Sequence, residues 1–370
     1  MGRDRSRSPC AWMGPRERKG RSWWIRFRVC QALWYDCPGM RTTVLILSFV
    51  ALLGGLWLVT APPSPAAPLL AAPDALKLGV NADLTALSDS QLAALLARLH
   101  GDGLTVVRQR FAWEVLEPTR GVFDWTALDR VVEAATVHGL EIVAVLDGSP
   151  AWARRPADAD NALAPPQERA EFGRFAAAVA QRYAGRVQFY QIWDEPNIAP
   201  HWGAQGVNPT DYAGLLREAA IQIKAVNPRA MIITAALAPT LEENAVNLSD
   251  VAFLDQLVSH GAAGGFDIIA AQPYGFDQPA DAEPAADRLN YRRIELLRAV
   301  LERHGLDAVP LWATAAGWYV PPPGETDGAA PWPAVTPASQ ATFTADALAQ
   351  ARRWPWLTGW LWGGAVATPP

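Results

Sequence analysis

The sequence predicts an α/β fold, a (β/α)8 TIM barrel of parallel strands, over residues 74–370. Three observations lead there. Eight short, β-branched runs alternate with seven amphipathic stretches, the pattern of parallel strands joined by crossover helices. Links from helix to strand are short, as in GDG after His100, GL after His138 and NPR at 227–229, whereas links from strand to helix are long, at 147–165, 194–208, 238–249, 273–284 and 315–336. Long loops at one end only mark the carboxyl face of the strands as the working face. The third observation is negative: no Gly-rich phosphate loop follows the first strand, which ranks a doubly wound open sheet behind the barrel.

The elements follow in order. LKLGVN (76–81) is the first strand, and SQLAALLARLH (90–100) repeats Leu at helical spacing behind it. TVVRQRF (105–111) is the second strand, with ALDRVVEAATVH (127–138) as its helix. LEIVAVL (140–146), VQFYQIW (187–193), AMIITAAL (230–237) and FDIIAAQ (266–272) are the third to sixth strands. VPLWAT (309–314) and LTGWLW (357–362) complete the set. The chain ends eight residues later, so the eighth helix is expected to be missing. His100, His138, His260 and His304 each precede a Gly and read as helix ends, where His suits the dipole and Gly the left-handed cap. His201, in NIAPHW, is the exception, open to a role in a site or in loop packing.

Composition narrows the function classes. Half of the 370 residues are apolar and 19% are charged, enough for a large core. The three cysteines, Cys10, Cys30 and Cys37, precede residue 40, which excludes a disulfide scaffold, a thiolate metal site and a cysteine nucleophile in the barrel. Residues 1–43 carry ten Lys/Arg against three Asp/Glu, leaving 22 against 34 in the rest. An acidic globular part argues against nucleic acid as a partner.

The front of the chain reads as targeting. Residues 1–39 are a basic leader, either an over-extended start ahead of Met40 or a cytoplasmic tail. Residues 40–61 form a signal peptide or membrane anchor: Val44–Ala61 is an apolar run of 18 residues behind a basic flank. Residues 62–73 are a Pro/Ala-rich linker, extended and semi-rigid. Both readings of the apolar run, cleaved or anchoring, place the barrel outside the cytoplasm. The membrane enters only through this segment, and nothing in the sequence bears on oligomeric state.

Chemistry concentrates at strand ends. Glu195 closes the fourth strand in IWDEPN, and a carboxylate there suits general acid/base work, with a surface or capping role as the alternative. Twelve Trp lie in the barrel, more than a core needs; their flat faces suit sugar stacking as well as packing.

The segment RQRFAWEVLEPTRGVFDWTALDRVVEAATVHGLEIVAVLDGSPAW (108–152) resembles clan A glycoside hydrolases, especially families 39 and 5, the β-xylosidase- or cellulase-like catalytic domains. IWDEPN resembles their Trp-Asn-Glu-Pro signature, FDIIAAQPYGF a sixth-strand His-Pro-Tyr segment, and PLWATAAGW a seventh-strand Trp-(Ile/Leu)-Thr-Glu-x-Gly-Trp segment. The resemblance implies that Glu195 is the acid/base, that Arg108 lies near the nucleophile and that Tyr274 hydrogen-bonds it. It implies a β-linked glycan or glycoside as partner, no cofactor and no metal. Trp113, Trp152, Trp193, Trp202, Trp318 and Trp362 become candidate sugar platforms.

Three departures stand out. The family nucleophile aligns with Ala315, the signature Asn with Asp194, and the usual His with Gln272. In the retaining mechanism one carboxylate attacks the sugar while another about 5 Å away protonates the leaving group. With the attacker gone, reduced like-charge repulsion is expected to lower the Glu195 pKa, and Asp194 to oppose that shift. Asp147, Glu325 and Asp327 are the carboxylates considered as substitutes. Three readings remain: a glycosidase with a displaced nucleophile, a non-catalytic carbohydrate-binding pseudoenzyme, and a structural barrel.

Overall fold

A computed structural model describes residues 76–321 and 332–363. Eight strands form one sheet: β1 (Lys77–Asn81), β2 (Val106–Ala112), β3 (Glu141–Asp147), β4 (Phe189–Ile192), β5 (Met231–Ile233), β6 (Ile269–Ala271), β7 (Leu311–Ala316) and β8 (Leu357–Trp362). Their order is β5-β4-β3-β2-β1-β8-β7-β6, and every paired neighbour is parallel. Parallel bridges from Ile233 to Ile268 and from Leu237 to Ala271 bring the two ends of the sheet together. The result is a nearly closed (β/α)8 barrel, as the alternation predicts.

Seven crossover helices follow the first seven strands: α1 (Asp89–Gly101), α2 (Thr126–Val137), α3 (Arg169–Arg182), α4 (Pro209–Val226), α5 (Asp250–Ser259), α6 (Ile294–Arg303) and α7 (Pro337–Ala351). Local sequence explains several of the starts. Ser88 and Gln91 make a capping box on α1, whose Leu92, Leu95, Leu96 and Leu99 form the buried stripe. Asn208 caps α4, and Pro209 occupies its first turn, where no N–H is needed. The expected missing eighth helix concerns residues 364–370, which lie outside the described residues, as do the leader 1–39, the apolar segment 40–61, the linker 62–73, and Glu325 and Asp327. Among the described residues no helix is long and apolar enough to cross a membrane.

Two expectations need adjustment. The fifth and sixth strands are shorter than their apolar runs because side-chain hydroxyls enter the ladder. Thr234 Oγ1 accepts from the Ala270 N–H, and the Tyr212 hydroxyl accepts from the Ala235 N–H. His138, His260 and His304 do cap their helices, but His100 lies inside α1, which runs on to Gly101 and is capped by Asp102.

The core has two parts. Val106, Val143, Phe189, Ile233, Ile268, Trp312 and Leu361 fill the barrel interior. A Cβ on Gly359 would lie 2.4 Å from the Trp312 ring, so only glycine lets that indole cross the barrel. A larger layer, with Leu96, Phe111, Val131, Phe175 and Leu216 among it, packs strands against helices. Strand side chains repeat every two residues on one face. Two positions beyond Val106, Phe189, Ala270 and Trp312 come Arg108, Gln191, Gln272 and Thr314, so the interior turns polar toward the carboxyl end.

Candidate active site

Arg108 anchors this polar layer. Its Nε donates to Gln191 Oε1 at 2.9 Å, one terminal nitrogen donates to Asn81 Oδ1 at 2.8 Å, and the other to Asp194 Oδ1 at 2.8 Å. Gln191 Nε2 also donates to Asp194 Oδ1, at 3.0 Å. Asn81 is fixed in turn, its Nδ2 donating to the carbonyls of Thr314 and Trp362. The ends of β1, β2, β4, β7 and β8 are thereby tied through one guanidinium and one amide.

Backbone conformation decides which side chain of IWDEPN faces inward. Gln191 points into the barrel, so simple alternation would send Trp193 inward and Asp194 outward. Trp193 instead adopts φ +69° and Glu195 φ +49°, both in the left-handed region. The alternation is inverted. The Trp193 ring turns outward onto Phe172 of α3 and onto Trp202, while Asp194 turns inward to Arg108. Left-handed residues other than glycine cost on the order of 1–3 kcal/mol each and gather at functional sites. Among the described residues the third is Phe276, in the loop after β6, also on the carboxyl face.

Glu195 lies in the pocket so formed. Its side chain is 24% exposed, and its backbone N–H donates to the Ala236 carbonyl at 2.9 Å. Burial pushes its pKa up to about 7, Asp194 adds to the rise, and the Gln272 side chain and Arg108 oppose it. Loss of hydration therefore outweighs the favourable field of Arg108 at this carboxyl. His201 Nε2 stands 3.4 Å from Glu195 Oε2, and its Nδ1 lies 3.3 Å from the Asp194 carbonyl. Burial lowers the pKa of His201, so near neutral pH it faces Glu195 uncharged. Gln272 Oε1 is buried with no protein donor; a protonated carboxyl or a sugar hydroxyl can supply one.

Across the mouth, Ala315 is buried at the end of β7, where the register against β8 shifts between Ala313 and Ala316. A Cβ on Gly363 would lie 3.2 Å from Ala315 Cβ and 2.9 Å from Tyr274 Cε1. Ala315, Gly363 and Tyr274 thus form one corner whose side chains are a methyl, a hydrogen and a phenol. Burial raises the pKa of the phenol, and the charges of Glu195 and Asp194 raise it further. The structure brings together Glu195, Asp194, Arg108, Gln272 and Tyr274.

Asp147 is engaged elsewhere. Arg110 Nε donates to its Oδ1 at 2.6 Å, and Arg110 also pairs with Glu114 at 2.9 Å. Burial pushes the Asp147 pKa up to about 7 against the pull of Arg110. A cleft of about 500 Å³ lies to one side, lined by Asn81, Asp83, Arg108, Arg110, Asp124 and Leu128, and does not include Glu195, Asp194 or Tyr274. Among the described residues no group of three or more His, Cys, Asp or Glu could hold a metal.

Most of the expected Trp platforms are corrected. Trp113, Trp193, Trp202 and Trp318 are buried and offer no face to a ligand. Trp113 stacks on Phe175 and donates to Glu117, while Trp318 donates to the Gln278 carbonyl. Trp152 is half-buried, edge-on to Trp113, with Arg120 over its ring. Trp362, also half-buried, lies against Gly317 beside the Ala315 corner. Sequence reasoning missed Trp332, which is 48% exposed and stacks on Tyr274 at 6.1 Å. Its place between prolines in the long seventh loop was the available signal. Asn81 and Gln191 were also missed; their inward strand parity would have found them.

Comparisons with known proteins agree with the barrel fold. A glycoside hydrolase family 42 model, described as β-galactosidase, matches residues 88–156, the stretch that holds Arg108 and Arg110. The resemblance to clan A glycoside hydrolases holds. A family 39 glycoside hydrolase from the gut symbiont Bacteroides cellulosilyticus WH2 superposes with a TM-score of 0.60 at 20% identity, over 78% of this chain and 56% of that one. A glucosidase from Croceicoccus marinus gives 0.55 at 15% identity, over 79% and 59%. The endo-1,4-β-mannanase from Rhizomucor miehei gives 0.56 at 10%, over 80% and 91%. At these identities the likeness is one of fold, and the chain spans little more than half the length of the first two. No curated protein matches the chain.

Proposed function

We propose that this barrel binds a β-linked glycoside across the carboxyl face of its strands and that Glu195 delivers a proton to the glycosidic oxygen. The observation that carries the reading is Glu195 itself: a carboxyl buried at the end of β4, with its pKa raised to about 7. Such a group is half protonated near neutral pH, which suits a general acid. The glycosidases that share the fold act on glycans and glycosides, which supports carbohydrate as the ligand class.

The usual retaining chemistry lacks its second partner. Two carboxyls about 5–5.5 Å apart are required, and β7 supplies only the methyl of Ala315. Asp147 is tied up by Arg110. On this reading the site holds sugar and can protonate it, but the described residues offer it no free attacking carboxylate. Ala315 also favours a second reading, a binding protein that does not turn its ligand over. The basic flank and apolar run ahead of the barrel support work outside the cytoplasm, secreted or anchored.

The test is titration of the chain with β-linked glucosides, xylosides and mannosides, followed by Trp fluorescence. Saturable binding that Glu195→Gln retains and Trp332→Ala weakens is expected. Absence of binding to all three classes overturns the proposal.

A further inference from the structure

We infer that the attacking group missing from β7 is carried by the substrate: an N-acetyl-β-hexosaminide whose acetamido oxygen attacks its own anomeric carbon, between Asp194 and Glu195. The inference rests on the reading of Glu195 as proton donor.

The arrangement of Asp194 supports it. The inverted backbone at Trp193 sets the two carboxyls side by side on the site face, rather than on opposite faces. Asp194 Oδ1 is held by Arg108 and Gln191, and its side chain keeps 21% exposure. Among the described residues no donor reaches Oδ2. A fixed carboxylate with one open oxygen is an acceptor and nothing else. A sugar hydroxyl is satisfied by an amide such as Asn. An acetamido N–H, which gains positive charge as its carbonyl oxygen attacks, is better matched by an anion.

The opposite corner is compatible with the same group. Ala315 and Gly363 present a methyl and a hydrogen beside Tyr274, with Trp332 stacked above that ring. Among the described residues, those at this corner bring no charge to the place of the lost carboxylate. A small apolar wall next to a phenol fits the methyl and carbonyl of an acetamido group. Arg108 is not a free cation there: its charge is paired with Asp194, and three of its five N–H groups already donate to protein acceptors.

The step balances without any co-reactant except water. A lone pair of the acetamido oxygen forms a bond to the anomeric carbon. The bond from that carbon to the leaving oxygen breaks, and the leaving oxygen takes the Glu195 proton. Asp194 accepts the amide N–H of the cyclic oxazolinium ion. Water then adds to the anomeric carbon and loses a proton to the Glu195 carboxylate. The ring opens, the acetamide is restored, and the product keeps the β configuration.

The test compares p-nitrophenyl N-acetyl-β-glucosaminide with p-nitrophenyl β-glucoside on the full chain. Release from the acetamido substrate is expected to be about 100-fold faster or more. Asp194→Asn should lower that kcat by about 100-fold with little change in KM. Because that variant could disturb Arg108, a second measurement leaves the protein intact: substrates with one, two and three fluorines on the acetyl methyl. A rate that falls steadily with fluorine count supports attack by the acetamido oxygen, and a flat series overturns it. Equal release from the two parent substrates also overturns it. So does an N-acetylglucosaminide that binds but is never cleaved; this outcome leaves the proton-donor reading standing. If neither substrate binds, both readings fail together.

Discussion

Arg108 and Asp194 form the central ion pair of the barrel mouth, with a terminal guanidinium nitrogen 2.8 Å from Asp194 Oδ1 and side-chain exposures of 12% and 21%. Removing one partner strands the other with little water to solvate it. Asp194→Ala is expected to cost about 2–4 kcal/mol in urea denaturation. The double variant Arg108→Met/Asp194→Ala should recover part of that loss, because no lone charge remains.

Glu195 makes stability depend on pH with a definite sign. Its pKa rises from 4.5 to about 7 on folding, so between those values the folded chain keeps a proton that the unfolded chain has released. Stability therefore falls as pH rises from about 4.5 to about 7 and levels off above. Glu195→Gln should remove this part of the slope and stabilise the chain at pH 8 by on the order of 1–3 kcal/mol. Thermal melts of both proteins across that range provide the measurement. The same proton donor predicts that any glycoside cleavage declines above about pH 7.

Ala315→Glu restores a carboxylate beside Tyr274, in the corner where Gly363 leaves room. Cleavage of p-nitrophenyl β-glucoside or β-xyloside is expected to rise at least about tenfold over the parent chain. A folded variant that stays inert on both would show that Glu195 and position 315 do not share a sugar. The added charge should also move the Glu195 titration further up.

The two kinds of Trp should separate cleanly. Trp332→Ala removes an exposed ring stacked on Tyr274, so sugar affinity should drop roughly three- to tenfold with the urea midpoint unchanged. Trp193→Ala opens a void among Phe172 and Trp202 and should cost about 3–5 kcal/mol of stability.

Eight strands and seven helices were legible because β-branched runs and Leu stripes carry the two periods directly. Lengths of β5 and β6 were not, since the Thr234 and Tyr212 hydroxyls interrupt the ladders without altering the apolar pattern. Glu195 and Tyr274 could be placed from motifs because they follow directly on the ends of β4 and β6, and Arg108 because it lies within β2. The Trp set could not be sorted. Trp193 ends up in the core through a left-handed backbone that no side-chain pattern announces, and that same turn gives Asp194 its inward position. The burial that dominates the Glu195 shift was not legible, because neighbouring charges are visible in a sequence and hydration is not.

The Arg108–Asp194 contact has a pharmacological corollary. Relative to the signature of the resembled family, one negative charge has left the seventh strand and one has arrived just after the fourth, so the place of the carboxylate shifts sideways. Iminosugars with a cationic ring nitrogen should still be drawn in, but toward Asp194. A panel that varies the nitrogen between the ring-oxygen and anomeric positions should therefore rank differently here than on an enzyme whose charge lies on the seventh strand.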